Sequence, residues 1–168
     1  SVTLTAIGNA LIVSIAGAIG GAKTAGIGVA LAYNHIQYEV SVFADYARMD
    51  LDGDLTMLAD QHSQIWTASA GGAGAEKAAI AGALSANVII STVKTYITNA
   101  SHVDVTGDVS LTAVNKSDIR ALAGNVAGAG KAAVGASIGY DEINDTVYAY
   151  IDGNSWVSST GGDIMLSA

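Results

Sequence analysis

The stretch Gly53-Asp54-Leu55-Thr56-Met57-Leu58-Ala59 recurs twice, as Gly107-Asp108-Val109-Ser110-Leu111-Thr112-Ala113 and as Gly162-Asp163-Ile164-Met165-Leu166-Ser167-Ala168. A shorter form, Val2-Thr3-Leu4-Thr5-Ala6, stands near the beginning of the sequence. In the second copy apolar and hydroxyl residues alternate strictly, which is the period-two pattern of a half-buried β-strand. A strand that returns after about 54 residues indicates a repeat architecture.

Other parts of the sequence keep the same period. Lys23, Lys77 and Lys131 each lie in an Ala/Gly-rich run, and we predict that they lie over one another along a common axis. The sequence therefore predicts one repeat array over residues 1–168, with repeats at approximately 6–59, 60–113 and 114–168, and with residues 1–6 as the closing strand of a preceding repeat. Single-residue slips, such as the additional glycine at 161–162, are expected where a turn absorbs an insertion.

Two further segments of each repeat carry secondary-structure signals. Thr146–Ile151 alternates and is rich in β-branched and aromatic residues, and it matches Thr92–Ile97, so we predict a strand there. The Ala/Gly-rich segment is ambiguous, because Ala78–Ile90 contains good helix formers. Its third copy has Gly135 and Gly139, and each glycine inside a helix costs about 1 kcal/mol relative to alanine. We therefore favour a strand for this segment as well.

These signals predict an all-β protein, a β-solenoid (parallel β-helix) built from three tandem repeats of about 54 residues. We expect four or five strands in each repeat, wound into two or three coils. A β-propeller with one repeat per blade is the alternative, but three blades do not close a ring.

Composition excludes several classes of function. The net charge is −8 with only seven Lys and Arg residues, which argues against binding to nucleic acid. Cysteine is absent, so disulfides and thiolate metal sites are excluded. Residues 1–22 are uncharged and long enough to span a bilayer, but glycines dilute their hydrophobicity, and we predict no membrane insertion. The equivalent stretches of the other repeats contain Asp60, Lys116, Asp118 and Arg120.

Residues 121–151, which include Gly128-Ala129-Gly130-Lys131-Ala132-Ala133-Val134-Gly135-Ala136-Ser137-Ile138-Gly139-Tyr140, resemble the repeats of very long bacterial exoproteins. These are the leukotoxin-type filamentous adhesins and the filamentous-haemagglutinin-like proteins. At the asparagine that usually follows the Ala/Gly run in those repeats, this chain has Asn34, Asn87 and Asp141. The resemblance implies a parallel β-helix rod in an extracellular or bacterial cell-surface protein that acts in adhesion or as a stalk. It implies no catalytic residue and no cofactor.

An aromatic stripe is the strongest candidate site. Tyr96, Tyr148, Tyr150 and Trp156 are predicted to share one outer face. Exposed aromatic patches often mark contacts with carbohydrate or protein, whereas stacked solenoid positions also form aromatic ladders that only stabilise the fold. The sequence leaves both interpretations open.

Acidic and histidine residues are the candidates for metal-binding or catalytic groups. Asp50-Leu51-Asp52-Gly53-Asp54 resembles part of a calcium loop, but Gln61 stands where an EF-hand needs glutamate. His35, His62 and His102 fall at different positions of the repeat, and the pair Asp141 and Glu142 suits a solvated turn better than glycoside cleavage. We therefore predict no catalytic, cofactor or metal residues, and a protein that is not an enzyme.

The expected function is that of a structural segment of a large repetitive secreted bacterial surface protein, acting as a rigid stalk or filament in adhesion. One alternative is a filament subunit that polymerises end to end through open edge strands. Another is a carbohydrate-binding adhesin module. The expected partners are other copies of the same repeat and a host or matrix glycan or protein.

Overall fold

The computed structural model describes all residues 1–168 and is a parallel β-solenoid without helices, as the sequence predicts. Each coil consists of a long strand, a two-residue turn, a second long strand and a short third strand. The strands are β1 (Val2–Ala22), β2 (Ala25–Asp45), β3 (Arg48–Leu51), β4 (Leu55–Ala75), β5 (Ala78–Thr98), β6 (His102–Val105), β7 (Val109–Ala129), β8 (Ala132–Ile151), β9 (Trp156–Ser159) and β10 (Ile164–Ser167).

One repeat makes a single coil, so the predictions of two or three coils and of four or five strands per repeat are wrong. Most long strands have 21 residues, which corresponds to about 70 Å at a rise of about 3.3 Å per residue. Three coils at a spacing of about 4.8 Å stack to only about 15 Å. The molecule is therefore a flat slab that is much wider than it is tall.

Equivalent strands pair in parallel and in register. Sheet A has the order β1-β4-β7-β10, sheet B the order β2-β5-β8, and sheet C the order β3-β6-β9. Val2 pairs with Leu55, Leu55 with Val109, and Val109 with Ile164, so the repeat length grows by one residue from each coil to the next. The last increase comes from the additional glycine of the third turn, as predicted. Residues 2–6 are continuous with the rest of β1, which ends at Ala22, and the assignment of residues 1–6 to a preceding repeat stays a prediction.

The predicted lysine column is present with one slip. Ala78 pairs with Ala132, which places Lys77 directly over Lys131. Ala25 pairs with Ala78, so Thr24 takes the position next to Lys77 and Lys23 lies one residue away. The column therefore follows a common axis, with the slip expected from the shorter first coil.

The interior narrows from one end of the slab to the other. At the wide end, where sheet C closes the coil, the core contains large side chains such as Leu55, Met57 and Ile97. At the opposite end sheets A and B enclose mainly alanine, including Ala73, Ala79 and Ala81. We call this narrow part, residues 13–33, 66–86 and 120–140, the fin.

Glycine permits the two sheets of the fin to approach closely. A Cβ atom on Gly28 would lie 1.9 Å from the backbone oxygen of Gly72, and one on Gly71 would lie 2.0 Å from the backbone oxygen of Gly82. No side chain fits between backbones at that distance. The Ala/Gly-rich segment is therefore strand, as predicted, and its small residues face inwards.

Candidate functional site

Three aromatic rings form a column on the outer face of sheet B. Phe43, Tyr96 and Tyr150 pair in register, with centroids 5.4 Å apart for Phe43–Tyr96 and 5.0 Å apart for Tyr96–Tyr150. The planes are nearly parallel, at 12° and 2°. Tyr96 therefore has both ring faces covered, whereas Phe43 and Tyr150 each have one face covered within the column.

The predicted stripe is brought together only in part. Tyr148 meets Tyr150 edge to face with centroids 6.4 Å apart. Trp156 lies on sheet C, where it stacks on His102 at 6.5 Å, and it is separate from the tyrosine column. Three of the four predicted residues thus form one cluster, which Phe43 completes, and whether it binds a ligand stays a prediction.

The surroundings of the column raise the pKa of Tyr150, which belongs to it, and of Lys94, which lies beside it. The Nζ atom of Lys94 donates to Glu39 Oε1 at 3.0 Å, and this hydrogen bond raises the pKa of Lys94. Partial burial raises the pKa of Tyr150, and the charge of Asp152 raises it further. Tyr150 therefore keeps its proton to a higher pH than an ordinary tyrosine.

A ladder of polar side chains runs through the interior between the wide end and the fin. Asn34 Nδ2 donates to Asn87 Oδ1 at 2.8 Å, and Asn87 Nδ2 donates to Asp141 Oδ1 at 2.7 Å. From the opposite sheet, Thr67 Oγ1 donates to Asn87 Oδ1 at 2.7 Å. Residues at the position singled out by the resemblance thus face inwards and join the coils.

The acidic residues of the third turn also join coils. The backbone N–H of Asp108 donates to Asp54 Oδ1 at 2.9 Å, and that of Asp163 donates to Asp108 Oδ1 at 2.8 Å. Thr106 Oγ1 donates to Asp52 Oδ1 at 3.1 Å. The recurring Gly-Asp pair therefore builds the turn. The aspartates that resemble part of a calcium loop accept hydrogen bonds between coils.

The three histidines lie at unrelated positions. His62 contacts Asp60 at 3.2 Å on sheet A, and His102 contacts Asp104 at 2.7 Å on sheet C. His35 lies on β2. No group of three or more His, Asp or Glu side chains is arranged to hold a metal ion.

The fin carries an apolar surface that the sequence analysis missed. Large side chains point outwards from both of its sheets, and Ile19 is 94% exposed and Leu31 68%. The alternation of residue size in β2 is the sequence feature that indicates this surface. Gly26, Gly28 and Ala30 are buried, and the larger residues between them are exposed. This is the reverse of an ordinary half-buried strand, and it identifies an outer face without a partner.

No protein-family model, curated protein or solved structure matches the chain. The structure has no helical segment with the length and hydropathy that a membrane crossing requires. The resemblance to filamentous exoproteins therefore stays a prediction.

Proposed function

We propose that the chain is a rigid structural segment of a secreted, repetitive bacterial surface protein. The observation that carries this proposal is the unbroken register of the coils. All 21 positions of β4 pair with β7, and β5 pairs with β8 from Ala78 to Ile97. Separating two coils requires many parallel hydrogen bonds to break together, and 89 of the 102 backbone hydrogen bonds lie within strands.

The dimensions refine what such a segment contributes. A coil of about 54 residues adds only about 4.8 Å along the axis, so these repeats add little length for the number of residues they use. They add width instead, about 70 Å for each coil. The proposed role is therefore that of a broad, stiff filament wall that displays two extended faces. The dimensions of the coil suit a thin stalk less well.

The proposal includes no catalytic activity. Asp54 and Asp108 accept backbone hydrogen bonds between coils, so these carboxylates have structural partners. The stacked rings of Phe43, Tyr96 and Tyr150 cover one another, which supports a stabilising role for the column. Carbohydrate binding stays a separate prediction, and a glycan array tests it.

End-to-end polymerisation is a second candidate function, favoured by the open sheet edges at both ends of the stack. β1, β2 and β3 have a partner strand on one side only, and so do β8, β9 and β10. Unpaired strand edges are templates for pairing with another chain. Electron microscopy of the purified chain is expected to show fibres if this candidate is right, and separate slabs if the chain is only a segment.

Two experiments test the proposed structural role. In single-molecule pulling between the chain ends, we expect one unfolding step for each coil, each releasing about 18 nm of chain at about 3.4 Å per residue. A smooth, low-force extension would contradict the proposal. Antibodies against the chain should label intact cells of the source bacterium as strongly as permeabilised cells, and labelling only after permeabilisation would contradict surface exposure.

A further inference from the structure

The outer face of the fin on sheet B consists of four columns that run across the three coils. It contains no charged residue between Ala25 and Tyr33 or at the paired positions of the other coils. Leu84 in the middle coil is 39% exposed and Tyr33 in the first is 71% exposed. The columns are Ile27-Ile80-Val134, Val29-Gly82-Ala136, Leu31-Leu84-Ile138 and Tyr33-Ala86-Tyr140.

This face is large for an exposed apolar patch. Nine residues along the strand and three coils give about 30 Å by about 14 Å, or roughly 400 Å². That is comparable with the largest apolar patch on a typical monomer, about 300–600 Å², and such patches are often functional. The contact partner must be equally apolar and nearly flat.

In the middle coil the shape of the face complements itself when one copy is reversed. In the middle coil Ile80 and Leu84 stand up as ridges, whereas Gly82 and Ala86 form grooves between and beside them. In the middle coil, turning a second copy so that its strands run in the opposite direction places each ridge over a groove. In the first coil the same turn brings Ile27 opposite Tyr33, and in the third coil it brings Val134 opposite Tyr140, so large side chains meet there. A copy with its strands running the same way, in the same alignment, places ridge over ridge.

We propose that this face binds the same face of a second copy of the chain, with the strands antiparallel and a two-fold axis parallel to the solenoid axis. Ile80 of each copy then packs into the groove at Ala86 of the other, and Leu84 packs into the groove at Gly82. The contact is isologous, because the same patch is used on both copies. It also leaves the solenoid axes side by side, so that the contact lengthens with every added coil.

The distribution of charge supports the antiparallel arrangement. The turns at the tip of the fin carry three of the seven Lys and Arg side chains but only one of the fifteen Asp and Glu side chains. Antiparallel pairing brings the basic tip of each fin towards the acidic part of the other copy, with Lys131 opposite Ile143 and beside Glu142. Parallel pairing would bring the basic tips together, and like charges that meet oppose association. The residues concerned at the tip are Lys23, Lys77, Lys131 and Glu76.

The area predicts the strength of the contact. Both faces together bury about 850 Å², less than the roughly 1,200 Å² of the smallest stable complexes. Three coils should therefore associate weakly, and each further coil adds about 290 Å². This lateral pairing goes beyond the proposed structural role, because a stiff segment needs no second copy beside it.

Sedimentation equilibrium with two matched glycine variants tests the surface. A Cβ on Gly82 meets its nearest atoms at 3.6 Å, and one on Gly124, on the outer face of sheet A, meets nothing within 4 Å. Both sites therefore accept leucine without a backbone clash. At about 1 mM we expect the unaltered chain and Gly124→Leu to form dimers, and Gly82→Leu to be monomeric because its groove is filled.

Several outcomes would overturn the inference while leaving the structural role intact. They are a monomeric unaltered chain with a normal strand spectrum, equal loss of the dimer in Gly124→Leu, and assemblies that persist in Gly82→Leu. A monomer that instead binds anionic phospholipid vesicles through this face would assign the patch to lipid and would also overturn it.

Disulfide trapping tests the orientation, because the chain has no cysteine of its own. Ile80→Cys and Ala86→Cys proteins are mixed and oxidised at the same concentration. The antiparallel contact predicts a mixed disulfide between the two variants and little of either homodisulfide. Predominant homodisulfides would contradict the antiparallel contact.

Discussion

The side-chain nitrogen of Asn34 donates a hydrogen bond to the side-chain oxygen of Asn87 at 2.8 Å, although 53 residues separate them in the sequence. Asn87 is fully buried and also accepts from Thr67 and donates to Asp141. A slip of one residue would turn these side chains from the interior to the surface. The ladder therefore selects the register of the coils, which apolar alanine and glycine positions specify poorly.

Replacing Asn87 with alanine should destabilise the solenoid by about 2–4 kcal/mol. The substitution removes the acceptor of the buried Thr67 hydroxyl and one of the two acceptors of the buried Asn34 amide. A buried polar group left without its partner costs about 1–3 kcal/mol. The midpoint of urea unfolding measures the change. Asn144→Ala is the matched control, because Asn144 is exposed on β8, and its expected change is within about 0.5 kcal/mol. Equal midpoints for the two variants would show that the ladder does not stabilise the fold.

Substitution of Gly71 by alanine should be far more damaging than the same change at Gly74. A Cβ on Gly71 would lie 2.0 Å from a backbone oxygen of the facing sheet, whereas one on Gly74 meets nothing within 4 Å. Because the obstacle at Gly71 is backbone, the sheets must separate, at a cost of about 3 kcal/mol or more. Thermal unfolding followed by circular dichroism separates the cases: Gly74→Ala should change the stability by less than about 1 kcal/mol. A Gly71→Ala chain as stable as the unaltered one would refute the close approach of the sheets.

Gly28 illustrates why the repeat was predictable and the coil count was not. The period and the alternation are local properties of the sequence, and they identified parallel strands in register. Glycine ordinarily marks the end or a bulge of a strand, which suggested several short strands. In the structure Gly28 lies inside a 21-residue strand because Gly72 of the facing sheet approaches it. That approach depends on two segments more than 40 residues apart, so no local pattern contains it.

The aromatic cluster shows the same limit. Tyr148 and Tyr150 lie on one strand, so their proximity follows from the sequence alone. Phe43 was missed because the first two coils are offset by 53 residues, which only the paired register reveals. Trp156 was misplaced relative to the column because the turn before it passes the chain from sheet B to sheet C.

The aromatic column should contribute measurably to stability. Tyr96 is stacked on both sides, and each stacked pair contributes about 0.5–1.5 kcal/mol beyond burial. Tyr96→Ala should therefore cost about 2–4 kcal/mol once the lost burial is included. Tyr148→Ala, which loses one edge contact, should cost clearly less. Urea unfolding of both variants provides the comparison, and an equal loss would show that stacking adds nothing.

Alkaline pH should weaken the fold through Tyr150 and Lys94, because the pKa of each is raised in the folded chain. A group that holds its proton more tightly when folded stabilises the fold fully below its unfolded pKa. That stabilisation is lost as the pH rises towards the folded value. For both groups the loss of stability therefore begins at about pH 10, near the ordinary pKa of tyrosine and lysine. Thermal unfolding between about pH 8 and about pH 11 should show a falling midpoint. Tyr150→Phe keeps the stacked ring but removes the ionising hydroxyl, so its midpoint should fall less steeply. An equally steep fall in Tyr150→Phe would assign the alkaline sensitivity to other groups.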